Sequence, residues 1–354
     1  MNAKRWTNRF FFYSFFIFGI LGTINYTIDP FNIFHTSILK HQFQMNERFM
    51  KIEYLEENNK NFNSYMFGSS RIGTTPPSAV EKYITNSKFY NMTLSSANLA
   101  DYLLYLEYFV KKKYPLEILY LQLDIEDMAY YGQVSSDYLR KPHPYLTDSS
   151  LSSYYLGYLF GFFNFNIKGK IKKNLNASDK TVYSLESGEW YRPLKEKKIL
   201  NDCKEYQKYV SSFNIKNKRI IKYTQRRNNI IALAKIKKIC NFHNIKLYVF
   251  TTPHNKNMMD QFQVNDYIDY IKDLSTVTDF WDFSGYNSVT TNNCNYYEKS
   301  HYRPLVASLI AARIFNDKSK KIPKDFGILV TKNNIEQHQE NLRTALTKHE
   351  LIFK

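Results

Sequence analysis

Cysteine is scarce in this 354-residue chain, which contains only Cys203, Cys240 and Cys294. None of them has the spacing of a metal-binding or CxxC redox motif, so we expect neither a metal nor another cofactor. An odd number of cysteines also excludes a fully paired disulfide framework. Export to an oxidising compartment would still allow one pair, Cys203 with Cys240 for example.

Acidic residues are too few to balance the basic ones. The chain has 32 Asp and Glu against 49 Lys and Arg, which gives a formal net charge of +17. A surplus of this size favours anionic partners such as phospholipid headgroups, acidic glycans or nucleic acid. Binding of nucleic acid is supported by the charge alone, because the sequence contains no helix-turn-helix, zinc or RRM signature. We therefore predict that the protein binds no nucleic acid. A lysine-rich solvated surface accounts for the charge equally well.

Internal repeats and low-complexity tracts are also absent. Hydrophobic residues make up 44 % of the chain and aromatic residues 17 %, with 30 Tyr and 27 Phe. This composition is too rich in core-forming side chains for a disordered protein. The length is sufficient for one large domain with a substantial core.

The N-terminal residues have the pattern of a membrane anchor. Residues 1–9 carry three basic side chains, and residues 10–28 form an uncharged run dominated by Phe, Ile, Leu and Tyr. As a helix this run spans about 28 Å, close to the hydrocarbon thickness of a bilayer. The charge asymmetry predicts a cytoplasmic N-terminus, with Asp29 and everything after it on the other side of the membrane.

A cleaved signal peptide is the alternative interpretation of the same run. The apolar core of such a peptide is usually shorter, and residues 25–28 offer no small-x-small cleavage site. We therefore predict a retained, single-pass signal anchor in a bacterial inner membrane, with the remaining chain on the periplasmic side.

A second aromatic stretch, 151–167, is uncharged as well. Its length and its Ser, Tyr and Asn content are typical of a buried helix followed by a loop. A membrane-skimming or lid element is the alternative, because lysines at 168, 170, 172 and 173 follow at once and suit anionic headgroups.

After a connector at 29–63, predicted strands and helices alternate. Strands are predicted at 64–68, 88–94, 116–123, 246–250 and 278–283. Helices are predicted at 79–84, 97–113, 219–241, 264–274 and 306–315. This alternation predicts an α/β fold, a three-layer α/β/α domain over 64–315 with a mainly parallel sheet. The Tyr- and Lys-rich segment 127–218 is predicted to be an insertion over the strand ends, and 316–354 a tail that contains a helix.

Polar segments follow several of these strands. Because ligands bind beyond the carboxyl ends of parallel strands, these segments are expected to converge on one site. They are Ser69–Arg71, Ser95–Asn98, Asp124–Asp127, Thr252–His254, Asp282–Ser284, and Glu298 with His301.

Two of these segments form a pattern typical of serine hydrolases and acyltransferases. Ser69 and Ser70 follow Gly68 at the end of an early predicted strand. Glu298 and His301 lie three residues apart before the last helix of the predicted domain. A serine hydroxyl becomes nucleophilic when an imidazole takes its proton, and a carboxylate fixes the tautomer of that imidazole. A Gly-Ser-Ser triplet alone is typical of a turn, so the order of the three groups is what favours catalysis.

Five short motifs carry a family resemblance, Gly68–Arg71, Asn91–Asn98, Thr252–His254, Trp281–Gly285 and Glu298–Pro304. With them the chain resembles the SGNH/GDSL hydrolase superfamily over 64–315, apart from the insertion. More narrowly, it is similar to the membrane-anchored envelope branch that includes alginate O-acetylation proteins and the D-alanine-transfer protein of teichoic acid synthesis.

The resemblance implies a catalytic triad. Ser70, rather than Ser69, is the implied nucleophile, because the second serine fills the third position of the family motif Gly-x-Ser. His301 is the implied general base, and Glu298 is the carboxylate that orients it. The family usually has Asp where this chain has Glu298, so the longer arm must fit differently.

The resemblance also implies an oxyanion hole. Its candidates are the backbone N–H of Ser70 and one from Ser96 or Ala97; such donors lower the barrier by about 3 kcal/mol each. The family's second-block glycine is replaced within 95–97, and no Gly-x-Asn-Asp motif supplies the usual asparagine donor. The candidates to replace that donor are Asp124, Asn98 and His254.

The sequence allows two roles for Arg71 and two for Asp282. Asp282 is either the carboxylate partner of His301 or a strand-end cap, and its place on a neighbouring strand gives it the weaker geometric claim. Arg71 either pairs with a carboxylate or an anionic substrate group, or it is a surface arginine that flanks a helix.

The leading hypothesis is an exported, membrane-tethered serine esterase or O-acyltransferase that acts on a cell-surface glycan and takes its acyl group from a donor such as an acyl-donor protein. The alternative is a catalytically inactive envelope scaffold of the same fold, which binds an acidic polymer or a partner protein through its basic surface.

Overall fold

The computed structural model describes residues 3–36, 45–132, 137–161, 181–214 and 223–353. Its α-helices are α1 Ala3–Ile28, α2 Glu47–Asn58, α3 Ser78–Glu81, α4 Leu99–Lys111, α5 Pro144–Thr147, α6 Leu151–Phe160, α7 Pro193–Asn201, α8 Cys203–Lys208, α9 Arg226–Phe242, α10 Lys256–Met259, α11 Val264–Val277, α12 Pro304–Ile314 and α13 Ile335–Phe353. Its strands are β1 Ser64–Gly68, β2 Phe89–Thr93, β3 Ile118–Leu123, β4 Val182–Tyr183, β5 Trp190–Tyr191, β6 Lys246–Thr251, β7 Phe280–Asp282, β8 Tyr296–Glu298, β9 His301–Tyr302 and β10 Ile328–Val330.

Some predictions fall partly outside the described residues. The aromatic stretch 151–167 is described only as far as residue 161, and the lysines at 168–173 lie outside the description. Residues 219–222, the predicted start of a helix, also lie outside the described residues.

The centre of the fold is a six-stranded sheet in the order β10-β7-β6-β3-β1-β2. β1 is parallel to both β2 and β3, β6 is parallel to both β3 and β7, and β10 is antiparallel to β7. Every residue of β1, β2 and β3 is buried, as is typical of central strands in a parallel sheet. The mixed α/β fold with a mostly parallel sheet is therefore confirmed.

Helix α4 illustrates how local chemistry sets the element boundaries. The Asn98 side chain accepts the N–H of Ala100 at 2.9 Å, and Asp101 accepts the N–H of Asn98 at 3.2 Å. This capping box starts the helix two residues later than the predicted 97. Leu99 and Leu106 are fully buried, as the helical spacing predicts.

The helices around the sheet form two packed groups. In the first, α9 packs against both α4 and α11, and α13 packs against α11. In the second, α3 packs against α12.

The chain divides into two compact units. The N-terminal unit comprises 1–53 and 134–180, and the sheet unit comprises 54–133 and 181–354. The segment predicted as one insertion is therefore divided between the units. Residues 137–161 belong to the N-terminal unit, and 181–214 belong to the sheet unit.

Helix α1 has 26 residues and is long and apolar enough to cross a membrane. Only 11 % of its most apolar stretch is buried, which distinguishes it from a core helix. By length and composition it is a membrane anchor or a signal sequence.

The free edge of β2 is covered by the β4–β5 hairpin. Asn91 donates its backbone N–H to the Ser187 carbonyl at 2.9 Å, although β2 is the last strand of the sheet. Gly188 has a positive φ of 75°, and a Cβ there would lie 2.1 Å from the Asn91 oxygen. Glycine is therefore required for the hairpin to approach the strand edge, which would otherwise present unpaired backbone groups.

Candidate active site

Ser70 lies just beyond the carboxyl end of β1, before the short 3₁₀ helix Ile72–Thr74. The chain turns tightly here because Gly68 has no side chain: a Cβ would lie 2.9 Å from the Ile72 side chain. Ser69 is buried, whereas Ser70 is partly exposed. Of the two serines, Ser70 is therefore the one that a substrate can reach.

Glu298 and His301 lie at the tip of the β8–β9 hairpin, where their backbones pair directly. The Ser300 N–H donates to Glu298 Oε2 at 2.9 Å and fixes the carboxylate in the turn. Tyr302 anchors the other end of the hairpin, because its hydroxyl accepts a hydrogen bond of 2.8 Å from Gln122 Nε2 on β3. An acid-x-x-His spacing thus delivers both side chains from one short turn.

The structure brings Ser70, His301 and Glu298 together. His301 Nε2 lies 2.8 Å from Ser70 Oγ, across 231 residues of sequence. The other ring nitrogen, Nδ1, forms a short hydrogen bond with Glu298 Oε1. With Nδ1–H donating to the carboxylate, Nε2 is free to accept the serine proton, as a nucleophilic triad requires.

The electrostatics of the hairpin keep Glu298 charged. Burial alone would raise its pKa, but the His301 ring, the Ser300 N–H and the Arg192 guanidinium together lower it to about 2. Arg192 Nη1 lies 3.5 Å from Glu298 Oε1, and its guanidinium stacks over the Trp190 ring at 4.8 Å. The orienting group is therefore a carboxylate throughout the neutral pH range.

Trp190 packs against His301. Its ring lies edge-to-face with His301 at 5.4 Å, and it is almost fully buried. Gly73 makes room for it, since a Cβ there would lie 1.8 Å from the indole nitrogen. Trp190 and Arg192 were not predicted from the sequence, because no local motif in the segment 127–218 relates them to residues more than 100 positions away.

Two of the oxyanion candidates, Ala97 and Asn98, are already engaged. The Ala97 N–H donates to the Leu94 carbonyl at 3.1 Å. The Asn98 side chain caps α4, and its Nδ2 donates to the Gly132 carbonyl at 3.1 Å. These contacts remove Ala97 and Asn98 from the oxyanion candidates.

The backbone N–H groups of Ser70 and Ser96 make no hydrogen bond to any described residue. Ser96 adopts a positive φ of 53°, a conformation that non-glycine residues use sparingly and often at functional positions. These two N–H groups remain candidates for the predicted oxyanion hole.

Arg71 is a buried side chain that links β3 to the catalytic hairpin. Its Nη1 donates to Asp124 Oδ2 at 2.5 Å, and its Nη2 makes a short ion pair with Glu126. Its Nε donates to the Ser300 carbonyl at 3.1 Å, in the turn between Glu298 and His301. The surface-arginine interpretation is therefore wrong, and Arg71 is a positioning residue.

Asp124 and His254 are both buried, and each already has hydrogen-bond partners around the end of β3. Burial alone would raise the Asp124 pKa, but Arg71 keeps it below its ordinary value, and Asp124 also accepts the Thr252 hydroxyl. His254 Nε2 accepts the Ile125 N–H at 3.4 Å. Asp124 is thus part of the Arg71 cluster, and the described contacts of His254 and Asp124 do not include Ser70.

His254 is expected to make stability depend on pH. Burial and the nearby Arg71 lower its pKa from 6.5 to about 3. In the unfolded chain this histidine is protonated below about pH 6.5, whereas in the folded protein it is protonated only below about pH 3. The free energy of unfolding therefore falls as the pH drops through this interval. Each pH unit costs up to about 1.4 kcal/mol.

The check compares urea-unfolding free energies of the full-length protein in detergent between about pH 6.5 and 4. His254→Gln keeps an acceptor for Ile125 and does not titrate, so its stability should fall less steeply than that of the wild type. The exposed His243, changed to Gln, is the control and should not alter the slope. Parallel slopes for wild type and His254→Gln would refute this assignment.

Asp282 does not contact His301. Its Oδ2 lies 2.7 Å from His338 Nε2 of α13, and its Oδ1 accepts the Thr251 hydroxyl at 2.6 Å and the Ser284 N–H at 3.0 Å. The carboxylate interpretation is therefore wrong: Asp282 caps its strand end and ties the C-terminal helix to the sheet unit.

The disulfide pairs Cys203 with Cys294, not with Cys240. Cys240 is buried on the inner face of α9, whereas Cys294 lies in the 3₁₀ helix Asn293–Asn295 directly before β8. The bond therefore links α8 to the start of the catalytic hairpin.

Reduction of this disulfide is expected to lower the free energy of unfolding by about 4 kcal/mol, because the bond closes a long loop in the unfolded chain. The bonded residues are 91 positions apart. The measurement is urea unfolding with and without dithiothreitol. A Cys203→Ala, Cys294→Ala double variant is the control, and its stability should not respond to the reductant. An equal response of both proteins would contradict the prediction.

Within the described ranges, no three His, Cys, Asp or Glu side chains cluster as metal ligands. Comparison of the sequence with protein-family models and with curated proteins found no match. What the structure brings together is a serine, an imidazole and a carboxylate joined by consecutive hydrogen bonds, with the buried Arg71 bound to the turn that carries two of them.

Proposed function

We propose that this protein is an exported, membrane-tethered serine esterase or O-acyltransferase that acts on a cell-surface glycan, with the fold and motifs of SGNH/GDSL hydrolases. The observation that carries the proposal is the 2.8 Å distance between Ser70 Oγ and His301 Nε2. Glu298 on the opposite ring nitrogen completes the set. Such a chain of contacts is what activates a serine for acyl chemistry.

In the first half-reaction, Ser70 Oγ attacks the carbonyl carbon of an acyl donor while His301 Nε2 takes the hydroxyl proton. Glu298 holds the Nδ1–H and stabilises the imidazolium that forms. The carbonyl oxygen becomes an oxyanion, for which the Ser70 and Ser96 N–H groups are the donors. When the tetrahedral intermediate collapses, the bond to the leaving group breaks, His301 protonates that group, and the acyl group remains on Ser70 as an ester.

In the second half-reaction, an acceptor hydroxyl gives its proton to His301 and attacks the Ser70 ester. The acyl group passes to the acceptor, and Ser70 regains its proton from His301. Water as acceptor makes the protein an esterase, and a glycan hydroxyl makes it a transferase. Trp190 keeps solvent from one side of His301, which favours transfer by excluding competing water.

Three features support the location and the layout. The Cys203–Cys294 disulfide is typical of proteins outside the cytoplasm. The basic residues before α1 favour a cytoplasmic N-terminus and an extracytoplasmic sheet unit. The two helix groups, one around α9 and one around α12, are what a three-layer α/β/α domain carries on the two faces of its sheet.

The charge of the chain supports an acidic glycan as the acceptor. A net charge of +17 raises the local concentration of a polyanion and speeds its association. The acyl donor we propose is another protein or carrier at the membrane, because the anchor confines the enzyme there.

The test is labelling of the full-length protein in detergent with a fluorophosphonate ester probe, which forms a covalent bond with an activated serine. Ser70→Ala should abolish labelling. Ser69→Ala is the matched control, since Ser69 is the buried neighbour whose hydroxyl accepts the Arg71 N–H at 3.4 Å. That variant should label like the wild type.

Two results would end the proposal: a folded wild-type protein that the probe does not label, or a Ser70→Ala variant that labels as fast as the wild type. The first would leave the alternative, an inactive envelope scaffold. In that case Ser70→Ala with His301→Ala would preserve the cellular phenotype.

A further inference from the structure

A second uncharged helix, α6, packs beside α1 in the N-terminal unit. The Phe160 ring at its C-terminal end lies edge-to-face with Phe18, at 6.1 Å between centroids. The same ring fills the space next to Gly22, where a Cβ would lie 2.8 Å from it. Small residues permit such close helix contacts in membranes.

The contact lies deep along α1. Phe18 precedes Ile28, the end of the helix, by a distance of about 15 Å, which is half of a hydrocarbon core about 30 Å thick. Earlier in α6, Tyr155 contacts Phe34, which follows the end of α1. The helix therefore runs from the level of the α1 terminus towards the middle of the span.

Two backbone carbonyls at the C-terminal end of α6 accept hydrogen bonds from side chains of the same unit. Asn25 Nδ2 of α1 donates to the Leu159 carbonyl at 2.7 Å, and the Tyr138 hydroxyl donates to the Gly161 carbonyl at 2.8 Å. A helix end at an aqueous surface needs no such partners, whereas one in hydrocarbon does.

Two of the three tyrosine hydroxyls of α6 are also hydrogen-bonded inside the unit. Asn46 Nδ2 lies 3.2 Å from the Tyr154 hydroxyl and 3.1 Å from the Tyr158 hydroxyl. The outer face carries Leu156, which is 53 % exposed, while exposed Ser152 lies nearer the N-terminal end. The helix thus presents an apolar side chain outward at its deeper part and a polar one at its shallower part.

We infer that α6 is inserted into the membrane beside α1, in the leaflet at the C-terminal end of α1, and that the lipid bilayer is the partner of its outer face. The inference rests on the membrane anchor of the proposed function but not on its catalysis. It also requires α1 to be retained, because cleavage would remove the contacts of Asn25 and Gly22.

The test is lipid quenching of a fluorophore attached to single introduced cysteines in the full-length protein, reconstituted in liposomes of phosphatidylglycerol and phosphatidylethanolamine. Leu156→Cys reports on α6, Ser152→Cys is its shallow control, and Phe15→Cys on α1, at a position 74 % exposed, is the membrane reference. The wild type is the labelling blank, since Cys240 is buried and the other cysteines are paired. Gly157→Cys is a second α6 position, with only the Lys141 amine within 4 Å of its Cβ.

Lipids with doxyl-labelled acyl chains should quench the fluorophore strongly at Phe15, clearly at Leu156 and Gly157, and hardly at all at Ser152. If Phe15 is quenched but both deeper α6 positions respond only as weakly as Ser152, the inference is overturned and the anchor stands. If Phe15 is not quenched either, the anchor and the inference fall together. Labelling of Ser70 by the fluorophosphonate probe is independent of all these outcomes.

Discussion

The Glu298→Gln variant is expected to lose about four orders of magnitude in kcat for ester cleavage or acyl transfer. The glutamine amide can donate to His301 Nδ1, which favours the tautomer with a proton on Nε2. That nitrogen then has no lone pair for the Ser70 hydroxyl 2.8 Å away. The neutral amide also fails to stabilise the imidazolium that forms when Ser70 attacks.

The measurement is steady-state hydrolysis of a nitrophenyl ester, together with the rate of fluorophosphonate labelling. Glu298→Asp restores a carboxylate with a shorter arm and should recover part of the activity. Glu196→Gln makes the same chemical change on a carboxylate that accepts Arg303 Nε at 3.0 Å, and it should leave kcat close to the wild-type value. A loss below about tenfold in Glu298→Gln would show that Glu298 takes no part in proton transfer.

The Arg71→Met variant is expected to lose about 3–5 kcal/mol in the free energy of unfolding, because it leaves the buried Asp124 carboxylate without its counter-charge. The side chains of Arg71 and Asp124 are only 9 % and 2 % exposed. Glu126 loses its partner as well. The variant also frees the Ser300 carbonyl, so the fraction that folds should label more slowly at Ser70.

Arg226→Met is the matched control for this substitution. Arg226 Nε donates to Asp273 at 2.5 Å, but the two side chains are 33 % and 31 % exposed. Solvent screens such a pair, so its loss should cost no more than about 1 kcal/mol. Urea unfolding of both variants in detergent makes the comparison, and equal losses would show that burial does not set the strength of the Arg71 cluster.

Much of the sheet could be predicted from the sequence because buried strands are local apolar runs. The predicted strands at 64–68 and 116–123 correspond to Ser64–Gly68 and Ile118–Leu123 in the structure. The carboxyl ends of parallel strands lie at one edge, so the polar segments that follow them could be expected to meet. The spacing of Glu298 and His301 is equally local, since three residues fit one turn of a hairpin.

Other features depended on contacts that no local pattern contains. From the sequence, Asp282 could be either a triad member or a strand-end cap. The structure distinguishes the two, because its partner is His338 of the C-terminal helix, 56 residues later in the sequence. Cys203 forms its disulfide with Cys294, whereas Cys240 is buried on α9. The Ala97 N–H was excluded as an oxyanion donor because the backbone of its turn directs it to the Leu94 carbonyl.

The amino-acid order alone thus predicted five of the six strands of the central sheet, the membrane-length helix and the three groups that are chemically able to form a triad. The sixth strand, Ile328–Val330, lies in the segment predicted as a tail. The tertiary structure decided the distances between those three groups, the ring of Trp190 and Arg192 around the hairpin, and the partners of every buried charge. The physical reason is that hydrophobic periodicity and turn chemistry act over a few residues. Hydrogen bonds and ion pairs, in contrast, form between whichever groups the folded chain buries together.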